Sequence, residues 1–255
     1  MKSGINLENK VALVSGGAKN LGLAITEELA AHGASVLVHY HSNKTESKAG
    51  DVVHSLSRTY PNAKFKAVQA DLTQVRKIEL LMNTITEDFG RLDVLVNNAG
   101  ALIKKPMAAI TEVEYDQLFS INTKSPFFMM QKAAERLEEN GRIINIGTSL
   151  LAAFTGLYSA YAGSKAPLED FGRALAQEIG SRGITVNTIA PGPLETEFLT
   201  EVENEATLDW LRQATVGKRL GQTTDIAPLV AFLASEKGQW ITGQTLFVNG
   251  GFATR

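Results

Sequence analysis

Tyr161 and Lys165, in the run Tyr161-Ala162-Gly163-Ser164-Lys165, are the pair in this sequence best suited to moving a proton. On a helix, residues four apart share one face, so the ammonium stands beside the phenol. A tyrosine alone is poorly matched to proton exchange at neutral pH, because its reference pKa is about 10. A neighbouring cation favours the phenolate and lowers that value. Such a pair suits hydride transfer to a carbonyl, where the developing alkoxide must receive a proton from a group within hydrogen-bond reach. Tyr40 with Lys44 and Tyr60 with Lys64 repeat the spacing. The first of these leaves the end of a β-rich run and the second contains Pro61, so neither sets both side chains on one established helix face.

A second stretch, Ser15-Gly16-Gly17-Ala18-Lys19-Asn20-Leu21-Gly22, lies between a short apolar run and a helical pattern. A phosphate-binding turn needs free backbone N–H groups, close approach of the chain and a helix aimed by its N-terminus. Gly16, Gly17 and Gly22 supply freedom and clearance, and Asn20 is one of the few other residues that tolerate left-handed backbone. Spacing alone leaves two readings open, a phosphate cradle and a plain strand-to-helix connection.

The elements around these residues alternate. Val11 to Ser15, Ser35 to Tyr40, Lys64 to Ala70, Leu92 to Val96, Arg142 to Ile146, Ile184 to Ala190 and Thr245 to Val248 read as strands, several of them near-continuously apolar. Helical patterns span Leu21 to His32, Thr73 to Phe89, a stretch opened by a capping box at Thr111-Glu112-Val113-Glu114, Tyr161 to Arg182, and Thr224 to Ser235. Pro126 predicts a kink or restart inside the third of these. The expected fold is α/β, a single Rossmann-type domain over residues 1–255: a doubly wound parallel sheet of about seven strands with helices on both faces. The segment from Pro191 to about Gln222 shows no clear strand. Following a strand's carboxyl end, it sits where a substrate lid would belong, or it is a surface excursion.

Composition narrows the partners. A 255-residue chain with 44% hydrophobic residues can bury one large core, and a formal net charge of −2 offers no basic field for nucleic acid. Having no cysteine removes disulfides, thiolate metal sites and cysteine nucleophiles together. With no signal-peptide core and no membrane-length apolar run, the expectation is a soluble, cytoplasmic protein that works on a small molecule. His39 and His41, two apart on a strand, lack a third ligand nearby in sequence, so no metal site is expected.

The ordered set of motifs resembles the short-chain dehydrogenases/reductases almost end to end. The glycine stretch is similar to that family's T-G-x-x-x-G-x-G turn, with Ser15 for the threonine and Asn20 for the middle glycine. Asp71-Leu72, Asn97-Asn98-Ala99-Gly100, Asn122, Tyr161 with Lys165, Pro191-Gly192 with Thr196, and Asn249-Gly250-Gly251 follow in the family's order. The resemblance implies cofactor contacts from Gly16, Lys19, Asn20, Leu21 and Gly22 of the turn. It adds Tyr40, Ser42 and Asn43 after the second strand, Asp71 and Leu72 near an adenine, and Asn98, Ala99 and Gly100 beneath a ribose. Pro191, Gly192, Leu194 and Thr196 would border the nicotinamide, and Tyr161 and Lys165 would also touch the cofactor.

NAD sites commonly carry a carboxylate at the end of the second strand. Here that strand ends His39-Tyr40-His41-Ser42-Asn43-Lys44, without Asp or Glu. Lys19 resembles the basic residue that NADP-preferring members set against the 2′-phosphate, with Ser42, Asn43 or Lys44 as further donors, so NADP(H) is the expected cofactor. The resemblance also implies a catalytic hydroxyl just past the fifth strand. An ungapped count back from Tyr161 lands on Thr148; residue type points to Ser149, which is slightly preferred because a threonine methyl would crowd the carbonyl. Asn122 resembles the asparagine beside a water-borne proton path, and it also reads as a buried polar residue compensating the break before Pro126.

The implied activity is reversible NADP(H)-dependent reduction of a ketone or aldehyde, with a small neutral substrate. Leu150, Leu151, Phe154, Tyr158, Phe198, Leu199 and Trp210 would line an apolar pocket if the segment after the sixth strand folds over. A reductase of 3-oxoacyl thioesters is the rival within the family. Glu138-Glu139-Asn140 before Gly141-Arg142 argues against an acidic carrier protein, though Arg173 and Arg182 remain available to one. A non-catalytic dinucleotide sensor is the alternative from another class. Family members assemble through long helices, which implies a homotetramer or homodimer here.

Overall fold

The computed structural model describes residues 4–255. Its strands are β1 Val11–Val14, β2 Ser35–Tyr40, β3 Phe65–Gln69, β4 Leu92–Asn97, β5 Leu137–Ile146, β6 Thr185–Pro191 and β7 Thr245–Val248. They form one seven-stranded parallel sheet in the order β3-β2-β1-β4-β5-β6-β7. The helices are α1 Asn20–Ala31, α2 Glu46–Thr59, α3 Val75–Phe89, α4 Glu112–Phe119, α5 Ser125–Ala134, α6 Ser159–Lys165, α7 Pro167–Ile179, α8 Glu197–Thr200, α9 Glu205–Ala214 and α10 Ala227–Ala234.

The apolar strands are covered on both faces, which explains their lack of polar alternation. Ala12, Val14, Val36 and Val38 pack with Ile25 and Leu29 of α1 and Val230 of α10. Their neighbours Leu13, Leu37 and Leu95 face the other way, onto Ile78 and Met82 of α3 and Met129 of α5. Strand order reverses at β1 and β4, so a crevice opens beyond the carboxyl ends of those strands.

Local chemistry sets the element ends. Thr111 and Glu114 form the reciprocal capping box of α4. Before Pro126 the chain makes a π-helical turn at Ser120–Lys124, and α5 then restarts with the proline in its first turn, where a missing N–H leaves no bond unmade. The helix expected over Tyr161 to Arg182 is two, α6 and α7, followed by a 3-10 turn at Gly180–Arg182. Pro167 opens α7, because its ring nitrogen cannot donate to the preceding turn. Strand β5 begins at Leu137 rather than Arg142, with a register shift against β4 between Leu92 and Val94. The segment after β6 carries the short helices α8 and α9 and returns to itself through one bridge, Leu194 with Gly221. Among the described residues no helix is long and apolar enough to cross a membrane.

One buried side chain fixes the start of the crevice. His39 Nδ1 accepts from Gly16 N at 3.0 Å, and its Nε2 donates to Ala70 O at 2.9 Å, so the neutral imidazole joins the ends of three adjacent strands. Burial pushes its pKa from 6.5 down to about 4. As pH falls below about 6.5 the unfolded chain takes up this proton while the folded chain does not. The His39 contribution is therefore complete above that pH and is lost progressively toward pH 4, at most about 3 kcal/mol. Urea denaturation at pH 7, 5.5 and 4.5 should show this loss, and His39→Gln should flatten the slope relative to the parent.

Candidate active site

The glycine turn is held from below by β4. Ser15 Oγ accepts from Asn98 N at 2.8 Å and Ala99 N at 2.9 Å, while Asn98 Nδ2 donates to Ser15 O at 2.9 Å. Gly16 and Asn20 take φ values of 64° and 49°, the left-handed geometry that tight turns require. At Gly22 a Cβ would overlap Gly16 O and lie 2.6 Å from Asn98 Nδ2, so helix and turn meet closer than any side chain allows. Helix α1 then begins with no side-chain cap and no acidic residue in its first turn. No side chain there competes with an anion for the first backbone N–H groups.

A cavity of about 1030 Å³ runs from this turn across the carboxyl ends of the strands. Gly16, Lys19, Asn20, Leu21 and Gly22 line it, as do Tyr40, Ser42, Leu72, Asn98, Ala99 and Gly100. So do Thr148, Ser149, Tyr161, Lys165, Pro191, Gly192, Leu194 and Thr196. Asn43 and Lys44 do not reach it: they belong to the 3-10 turn Asn43–Thr45 that leads into α2. Lys48 reaches it instead, from the first turns of a helix that the sequence reading left unassigned. Asp71 also stays outside. Its carboxylate accepts from Thr73 N at 3.0 Å, Thr73 Oγ1 at 2.7 Å and Gln74 Nε2 at 2.8 Å, so it shapes the turn into α3.

At the cavity floor the Tyr161 phenol lies beside the Thr148 side chain, and burial pushes its pKa up to about 12. This is the reverse of the lowering expected from Lys165. The Lys165 ammonium donates to Ile146 O at 2.8 Å, and its own burial pushes its pKa down to about 8. Desolvation outweighs the pairing that the four-residue spacing suggested.

The hydroxyl slightly preferred from residue type is not the one at the phenol. Ser149 Oγ donates to Ala190 O at 2.9 Å, which ties the first turn after β5 to β6, and leaves Thr148 to face Tyr161. Asn122 is fully buried in the π-helical turn. Its Oδ1 accepts from Ala101 N and its Nδ2 donates to Ala101 O, both at 2.9 Å, and Nδ2 also donates to Ser164 Oγ at 3.0 Å. One side chain thereby joins the loop after β4 to the helix that carries Tyr161 and Lys165.

Phe198, Leu199 and Trp210, from the segment after β6, line the cavity together with Leu150 and Tyr158. Tyr158 and Phe198 each set a ring centroid 6.4 Å from that of Tyr161. Leu151 and Phe154, expected in this wall, are absent from it, and Phe154 projects fully into solvent. Leu157 takes their place in the wall, held at a φ of 69° by a loop whose turn the sequence pattern did not mark. Among the described residues no three His, Asp or Glu gather as a metal site, and both His39 nitrogens are engaged in the sheet.

Residues 16–253 match the family model described as enoyl-(acyl carrier protein) reductase. A short-chain type dehydrogenase/reductase of Picea abies is 36% identical over 253 residues, covering 96% of this chain and 93% of that protein. A hydroxynaphthalene reductase-like protein, Arp2, of Metarhizium majus is 36% identical over 263 residues, with 98% and 97% covered. A Burkholderia cenocepacia protein described as a dehydrogenase, solved with NADP bound, superposes with a TM-score of 0.94 at 39% identity, covering 100% of this chain and 97% of that one. With the glycine turn, the sheet order and these full-length likenesses in agreement, this chain belongs to the short-chain dehydrogenase/reductase family.

Proposed function

We propose that this oxidoreductase reduces a neutral ketone or aldehyde to an alcohol with NADPH, and runs in reverse with NADP⁺. The observation that carries the reading is the buried Tyr161 phenol, beside the Thr148 side chain and one helical turn from Lys165, at the floor of a cavity that begins at the glycine turn. The cradle at Gly22 and the uncapped start of α1 fit a dinucleotide pyrophosphate. Lys19, Ser42 and Lys48, with no Asp or Glu in the cavity wall, fit a 2′-phosphate, and the structural relative that holds NADP supports the same choice. When bound, the dinucleotide supplies the hydride.

The chain supplies the rest. Thr148 donates a hydrogen bond to the carbonyl oxygen, and Tyr161, neutral at pH 7, donates its proton to that oxygen as charge develops there. Lys165 stabilises the phenolate left behind. Asn122 is the positioning residue that fixes α6 against the loop after β4. The segment over residues 191–222 acts as a lid, whose Phe198, Leu199 and Trp210 exclude water and favour an apolar, ring-bearing substrate. The hydroxynaphthalene reductase-like relative supports trying aromatic ketones first.

A carrier-bound thioester is the weaker reading. Arg182 is engaged by Glu139 and by Ala134 O, and Arg173 by Asp170, so both basic groups already have acidic or carbonyl partners. Assembly into a homodimer or homotetramer is supported by the outward faces of α4, α5 and α7, where Val113, Tyr115 and Phe127 are exposed and Phe127 packs edge-on against Phe171.

Oxidation of NADPH and of NADH against ketones, aldehydes and an acyl-thioester analogue tests the assignment. NADPH should be favoured in kcat/KM by at least ~10-fold, the worth of one charge-assisted hydrogen bond, and Lys19→Ala with Lys48→Ala should erase most of that margin. Thr148→Val should lower kcat/KM about 100-fold with NADPH affinity intact, whereas Ser149→Ala should change it by no more than ~3-fold. Tyr161→Phe should bind NADPH normally yet lose turnover; equal turnover by this variant would sink the mechanism. In the ligand-free protein, ultraviolet titration should show no Tyr161 phenolate below pH 10, detected as the difference from Tyr161→Phe, because burial pushes the phenol's pKa up to about 12.

A further inference from the structure

The cavity wall contains four lysines, Lys19, Lys48, Lys104 and Lys165, and no carboxylate. Three lie at the glycine turn, beside β2 or at the catalytic tyrosine. Lys104 stands apart, on the loop after β4, with its ammonium 5.9 Å from the Tyr158 ring centroid, and that ring is 6.4 Å from the Tyr161 ring. It is the cation at the substrate end.

Its charge is cancelled from behind. Lys104 pairs with Glu203, and the same carboxylate accepts from the Tyr158 hydroxyl. Lys104 and Tyr158 line the cavity, whereas Glu203 does not. The Glu203 side chain is 0% exposed and that of Lys104 is 17% exposed. Burying a carboxylate is unfavourable unless it is paired, and replacing a buried ion pair with apolar side chains is often neutral or stabilising. Fold stability therefore does not by itself account for a wholly buried Glu203 brought in from the α8–α9 connection to meet Lys104 on the loop after β4.

We infer that Glu203 is a specificity-determining residue: by neutralising Lys104 it reserves the substrate end of the cavity for uncharged carbonyl compounds. Lys104 keeps N–H groups to offer a neutral oxygen at the far end of the substrate. An anionic tail at that place would compete with Glu203 for the same ammonium and would be repelled by the carboxylate behind it. The inference rests on the reductase reading for its kinetic readout, and it names the charge class of the substrate at the same site.

A matched keto ester and keto acid of one carbon skeleton test it, with NADPH, in the parent, Glu203→Gln, Lys104→Met and the double variant. The parent should prefer the ester. Glu203→Gln should shrink the ester-to-acid ratio of kcat/KM at least ~10-fold, chiefly by lowering KM for the acid, because Lys104 is then unneutralised. Lys104→Met, which leaves Glu203 uncompensated, should widen the ratio, and the double variant should return toward the parent. A ratio unchanged within about twofold in both single variants overturns the inference. The same ratios can be read without turnover, as ester and acid binding to the NADPH-loaded protein. Trp210 fluorescence in a Trp240→Phe background reports it, since these are the only two tryptophans. Binding that follows the charges while no carbonyl is reduced would uphold the role of Glu203 and reject the reductase reading. Binding indifferent to the charges would reject Glu203 alone.

Discussion

The burial of Lys165 constrains the rest of the site. An ammonium withdrawn from water must be held by fixed dipoles, and here it donates to Ile146 O at the last residue of β5. That bond decides where α6 crosses the end of the sheet, and with it the position of Tyr161 one turn earlier. Helix α6 is in turn held by Asn122, which sits in a π-helical turn because the chain restarts its helix at Ser125 with a proline following. A change in any of these contacts would move the phenol relative to the glycine turn, and a displacement of an ångström is costly in a reaction that depends on orientation.

Much of the fold was legible because its signals are local and repetitive. Buried parallel strands appear as short apolar runs, and the capping box at Thr111 and the restart before Pro126 follow from side-chain oxygens and a missing N–H. Asn20 was readable for the same reason, since few residues other than glycine accept its φ of 49°. Helix α2 escaped notice because it buries little, only Ala49 and Leu56 among its fourteen residues, so its apolar stripe is thin. Lys48 was missed with it. Asp71 is implied by the family resemblance and Asn43 by its place after the second strand, and neither lines the cavity: Asp71 is engaged in the turn into α3, and Asn43 lies in a short 3-10 turn.

The choice between Thr148 and Ser149 shows where residue type misleads, since the count back from Tyr161 lands on Thr148, the hydroxyl that faces the phenol. Ser149 opens a 3-10 turn that Thr148 caps, and which hydroxyl meets the phenol depends on where β6 offers an acceptor. Ala190 O takes the Ser149 hydroxyl, and Thr148 is left to Tyr161. The pKa values were illegible. Pairing at helical spacing predicts a lowered phenol, whereas desolvation raises Tyr161 and lowers Lys165. A protonated tyrosine beside a buried ammonium fits the proton-donor role proposed for it.

The proposed chemistry is direct hydride delivery to a carbonyl carbon, with the proton coming from Tyr161. NADPH carrying deuterium at C4 tests it most directly, using an aromatic ketone as acceptor and mass spectrometry of the product. One deuterium should appear on the carbinol carbon, from only one of the two C4 positions, with the transfer abolished in Tyr161→Phe. NADPH oxidation that places no deuterium on that carbon would contradict it.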